Sequence, residues 1–147
     1  MSNSSLYERD FYAWTNEQAA LLREGRLAQA DIANIAEEIE SMGRSEKREL
    51  VSRLTVLLLH LLKWQFQPGL RSNSWRASIQ VQRISLESHL ADNPSLKSVL
   101  PAAIAQAYRI ARIEAGKETG LSSDNFPPSP PWDFDQIMSE DFWPDNA

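Results

Sequence analysis

Five glutamates crowd one short stretch of the chain, EEIESMGRSEKREL at residues 37–50. Carboxylates at that density suggest two chemistries: holding a metal, or exchanging protons as general acid and base. A dinuclear iron site in a helical bundle needs inward-facing glutamates plus Glu-x-x-His on two helices. Neither His60 nor His89 has a glutamate three positions before it. At about 100° per residue, Glu38 and Glu40 fall on opposite flanks of the apolar face marked by Ile32 and Ile39, and Glu37 points away. The carboxylates do not converge, so no metal site is expected. What remains of an enzyme reading is the set Glu38, Glu40, Arg44 and His60, which would need a shared pocket to act. Each histidine also follows an apolar face, which suits a structural role.

A second chemistry lies downstream. Between Glu49 and Glu87 there is no acidic residue, while Arg53, Lys63, Arg71, Arg76 and Arg83 all fall there. In HLLKWQFQPGLRSNSWRASIQVQR, residues 60–83, Lys63, Arg71, Arg76 and Arg83 alternate with Trp64 and Trp75. Guanidinium groups beside aromatic faces can take phosphates and stack bases. The charge is also segregated. Residues 1–43 carry three basic and eight acidic side chains, residues 44–117 carry twelve and five, and residues 118–147 carry none and seven. Either the acidic ends fold back on the basic middle, or the middle is an open face for a phosphate, a nucleic acid or an acidic partner.

Positioning these groups falls to helices, since no alternating strand pattern is present. Thr15 with Gln18 reads as a capping box for a helix over 16–24 that Gly25 ends. Asp31 caps a helix over 32–42 whose face is Ile32, Ile35, Ala36, Ile39 and Met42, and Gly43 is expected to stop it. Ser45 then caps a helix over 46–67, with Glu46 and Glu49 at its positive end. Its seam of Leu50, Leu54, Leu57, Leu61 and Trp64 has heptad spacing. The helix over 74–92 has two apolar sides, Trp75/Ile79/Leu86/Leu90 and Ala77/Val81/Ile84, and so is expected to meet a second helix or another subunit. A helix over 96–117 contains Pro101, a kink or the true start; Gly116 and Gly120 suggest fraying at its end. A flexible leader over 1–9, whose Tyr7 joins Phe11, Tyr12 and Trp14 as an aromatic cluster, and a Pro-rich linker over 126–132 complete the chain. The linker is expected to hold a tail helix over 133–143 apart from the fifth helix. The expected fold is all-α: a single-domain bundle of four to five main helices, plus a short C-terminal helix after the linker.

Composition narrows the function classes. With no cysteine among 147 residues, disulfides, thiolate catalysis and cysteine metal sites are out, which agrees with a reducing cytoplasm. The first residues show no signal-peptide pattern. The most apolar stretch, LTVLLLHLLKW, is shorter than the roughly 20 residues a membrane span needs. No glycine-rich phosphate loop, dinucleotide fingerprint or Gly-x-Ser-x-Gly elbow occurs, and no cofactor is expected.

Several blocks together carry a resemblance: ERDFYAWTNEQAALLREGRL, IAEEIESMGRSEKRELVSRLTVLLLHLLKWQFQP, RSNSWRASIQVQR, AYRIARIEAGKETGL and EDFWP. From about Tyr7 to Phe142 the chain resembles a bacterial family known as the domain of unknown function numbered 29. The resemblance implies an all-helical bundle in a bacterial protein, of a kind seen often in cyanobacteria and proteobacteria. It implies no activity, cofactor or partner, and carries over no functional residue. The leading expectation is a cytoplasmic, non-catalytic interaction or regulatory protein whose partner is another protein or a second copy of itself. A phosphate or nucleic-acid binder using residues 60–83 stands second, and an enzyme near Glu38, Glu40 and His60 third.

Overall fold

A computed structural model describes residues 3–145. The chain divides into two compact units, Met1–Glu46 and Lys47–Ala147. Among the described residues there are six α-helices and no strand, which establishes the all-α class.

In the first unit, α1 (Asn3–Arg9) turns directly into α2 (Phe11–Arg23). The expected leader is therefore helical from Asn3, with residues 1 and 2 outside the described range. The cap of α2 is Asp10, whose carboxylate accepts from Ala13 N at 3.1 Å. Thr15 instead lies inside the helix and donates back to Tyr12 O at 2.7 Å. Gly25 follows at φ 70, the left-handed region where a side chain would be strained. Rings of Tyr7, Phe11 and Trp14 pack together at centroid distances of 4.7–5.7 Å. Asp31 accepts from Trp14 Nε1 at 3.1 Å, and its own N–H donates to Gln18 Oε1 at 2.6 Å.

The third helix, α3 (Ile32–Phe66), runs unbroken for 35 residues. Gly43 does not stop it, and Ser45 caps nothing. A glycine ends a helix by turning to positive φ, and only Gly25 and Gly120 do so among the described residues. Left helical, Gly43 costs about 1 kcal/mol. Ion pairs along the surface offset part of that: Arg44 to Glu37 at 2.9 Å and Glu40 at 4.0 Å, and Arg53 to Glu49 at 2.9 Å. Glu46 and Glu49 are thus mid-helix residues, not partners of a helix dipole.

The second unit holds the core. Leu50, Leu54, Leu57, Leu61 and Trp64 of the heptad seam are all buried, together with Leu58, Leu59 and Leu62. Against them pack Ile79, Leu86 and Leu90 of α4 (Asn73–Asp92) and Ala103, Ala107, Tyr108, Ala111 and Ala115 of α5 (Leu100–Thr119). Ser72 caps α4, accepting from Trp75 N at 3.2 Å. Pro101 sits in the first turn of α5, after a 3₁₀ segment Pro94–Val99, where its missing N–H costs nothing. Nor does α5 fray. Gly120 (φ 78) closes it through a bond to Gly116 O at 2.9 Å. Gly116 is buried because the returning chain crosses it; a Cβ there would lie 2.8 Å from Leu121 O.

The Pro-rich segment does not hold the tail away. Tyr108 of α5 donates to Pro127 O at 2.7 Å, and Arg112 to Phe126 O at 3.2 Å. Phe126, Trp132 and Ile137 are buried in the same core. The tail's helix is one short piece, α6 (Phe134–Met138), with a capping box between Asp133 and Gln136.

Candidate binding surface

The basic segment lies where the end of α3, the start of α4 and the tail meet. Four of its six named residues are consumed by the fold. Lys63 is buried, 2.9 Å from Glu118, with its ammonium 4.7 Å above the Trp75 ring. Trp64 is buried and Trp75 half-buried. Arg83, only 3% exposed, donates from Nε to Ile137 O at 2.8 Å and from Nη2 to Phe142 O at 2.8 Å. Burial pushes its guanidinium below the ordinary arginine value, against the opposing pull of Glu140. Its Nη1 is buried without a hydrogen-bond partner.

Two arginines remain nearer the surface. Arg71 donates to Trp64 O at 2.8 Å and to Pro144 O at 3.3 Å. Arg76 lies over two rings, Trp64 at 5.1 Å and Trp143 at 4.8 Å. The tail therefore covers the basic segment with main-chain carbonyls and the Trp143 ring. Sequence reasoning missed this use of the tail, because a carbonyl acceptor leaves no trace in residue type.

The enzyme candidates are dispersed along α3. Glu38 accepts a hydrogen bond from Tyr7, which with burial pushes that phenol up to about 12. Glu40 and Arg44 pair with each other on an exposed surface. His60 donates from Nδ1 to Val56 O at 2.7 Å, and burial lowers its pKa. Arg44 belongs to the first unit and His60 to the second. Tyr108, pushed up to about 12 by burial, is committed to Pro127 O in the same way. The shifted groups His60, Tyr108 and Arg83 each spend a donor on the backbone, which is structural use, not preparation for proton transfer.

Two further grooves flank the second unit. One, of about 520 Å³, is lined by Ala77, Gln80, Val81, Arg83 and Ile84 of α4 and by Glu140 and Asp141 of the tail. The other, of about 240 Å³, is lined by Gln106, Arg109, Ile110 and Ile113 of α5. A helical period run over α4 finds the first stripe, and Ala77/Val81/Ile84 was read as a second apolar side. The α5 stripe leaves a weaker signal, because Gln106 and Arg109 interrupt its apolar period.

Fold and surface together define an all-helical protein in which an arginine–tryptophan latch ties the tail to α4. The chain belongs to the family described as Domain of unknown function DUF29, whose pattern matches residues 6–143. No curated protein and no solved structure matches it. Among the described residues, no helix is long and apolar enough to cross a membrane.

Proposed function

We propose that this is a non-catalytic interaction protein of the bacterial cytoplasm, and that the outer face of α3 in the first unit meets its partner. One observation carries the reading. Ile32, Ile39 and Met42 share a stripe of α3 and are 53%, 63% and 68% exposed. Charged residues of that stretch stand at least about 80° away from the stripe's centre. Among the described residues of the first unit, Trp14 and Leu21 are the only buried large hydrophobics, while Phe11, Tyr12, Leu22 and Leu27 are exposed as well. So small an apolar core gives little independent stability, and contiguous exposed apolar surface marks interaction sites. The absence of cysteine and the family's bacterial character support the setting.

A photo-crosslinking residue at Ile39, in cells, is expected to trap a discrete adduct that disappears in an Ile32→Glu/Met42→Glu background. The same probe at Ala33, about 120° round the helix from Ile39, should trap none. Equal adducts from both positions, or none from Ile39, would count against the reading.

A narrower second reading is favoured by Arg76 alone. Its guanidinium is oriented by Trp64 and Trp143 beside Ser72 and Asn73, in an open groove of about 340 Å³ at the start of α4. A small oxyanion such as phosphate would fit there. Titrating inorganic phosphate should then change tryptophan fluorescence saturably at low salt, and Arg76→Gln should abolish the saturable component. An unchanged titration in that variant would remove this reading.

A further inference from the structure

We infer that the second unit self-associates head to tail, the exposed stripe of α5 in one copy seating in the α4–tail groove of the next. The inference rests on the reading of the chain as an interaction protein, but it names a different surface and its partner.

The two surfaces share one geometry. Ala77, Gln80, Val81 and Ile84 occupy positions i, i+3, i+4 and i+7 of α4; Gln106, Arg109, Ile110 and Ile113 occupy the same positions of α5. Such rows are the ridges and grooves by which helices interdigitate. In both stripes the last two positions hold β-branched residues that the described chain leaves exposed: Val81 and Ile84 at 54% and 63%, Ile110 and Ile113 at 40% and 64%. The remaining side of each helix already faces the core through Ile79 and Leu86, or Ala107 and Ala111.

Charge decides the occupant. Beside the α4 stripe stand Glu140 and Asp141, both exposed; the buried Arg83, which feels the pull of Glu140, is the one cation in the same lining, so the groove keeps a net negative charge. On the α5 stripe stands Arg109, also exposed. Each stripe alone repels its own kind or is neutral to it, so a symmetric like-with-like contact is disfavoured; opposite charge pairs α5 with the α4 groove. A contact between two different patches is heterologous, and it closes into a small ring or continues as a chain. Each stripe offers a handful of residues, far fewer than the roughly 20 a side of a standard interface, so the association is reversible and concentration-dependent.

Sedimentation velocity on the full chain over a concentration series tests this. The wild type should gain mass with concentration and lose it in high salt. Arg109→Glu should weaken association about tenfold or more, because like charges would then face each other across the contact. Glu140→Lys/Asp141→Lys should do the same. Mixing these two variants should restore association, since each supplies the charge the other lacks. Ile113→Asp serves as a second probe: alone it should weaken association at every salt concentration, because it removes the apolar contact rather than the charge. A wild type monomeric throughout, charge variants that associate like wild type, or a mixture that stays monomeric would each overturn the inference. Those outcomes leave the Ile39 crosslink, on another face, to stand or fall by itself.

Discussion

Replacing Arg83 with alanine is expected to cost about 3–4 kcal/mol of stability, read as a lower denaturant midpoint with detachment of the tail. The side chain is buried and bridges α4 to the tail through Ile137 O and Phe142 O, each at 2.8 Å. It also lies 5.3 Å beneath the Trp143 ring. Truncation leaves both carbonyls without their donor, and each such orphan costs about 1–3 kcal/mol. The unbonded Nη1 works the other way, since removing it relieves a buried donor; that keeps the estimate below the sum. Lysine at this position should recover little, because one ammonium cannot reproduce the fork that spans two acceptors. Tryptophan emission reports the tail directly through Trp143. A change within about 0.5 kcal/mol, the range of ordinary surface substitutions, would show that Arg83 does not hold the tail.

That role shows where the sequence was legible. The helices, the heptad seam of α3 and the inner side of α4 follow from apolar period and capping chemistry, which are local; Pro101 alone fits a kink or a start, and the structure puts it in the first turn of α5. Gly43 misled because a glycine marks a stop only when the chain turns to positive φ, and nothing in one residue type says whether it will. The tail misled for a related reason: prolines promise an extended segment, but not whether it lies against a helix. Its docking depends on Tyr108, Arg112 and Arg83 finding carbonyls that every residue possesses. The arginines were visible as a basic run, and their acceptors were not. Likewise the periodicity of Ile32, Ile35, Ile39 and Met42 announces an apolar face, yet the period is the same whether the face is covered or bare.

Ending the chain after Asn125 is expected to abolish cooperative unfolding of the second unit. Phe126, Trp132 and Ile137 would leave the core in which they are almost completely buried. At about 1.5–3 kcal/mol for each large apolar side chain, their loss removes roughly 5–9 kcal/mol, against a typical total stability of about 5–15 kcal/mol. The polar losses add to this. Gln65 loses the Trp132 indole at 3.0 Å, and Tyr108 and Arg112 lose acceptors on the segment Phe126–Pro127. Arg83 would be left with no acceptor on the tail. The truncated chain should therefore keep helical far-UV circular dichroism while losing the near-UV signal of fixed aromatic packing, as compact states without specific packing do. Adding a synthetic peptide of residues 126–145 should restore that near-UV signal, because the segment docks by burial and hydrogen bonding with no covalent requirement. Arg83→Ala in the truncated chain should reduce the restoration, separating the latch from the apolar contribution. A truncated chain with the midpoint and near-UV spectrum of the full one would mean that the tail is an appendage, and that α3, α4 and α5 close their core without it.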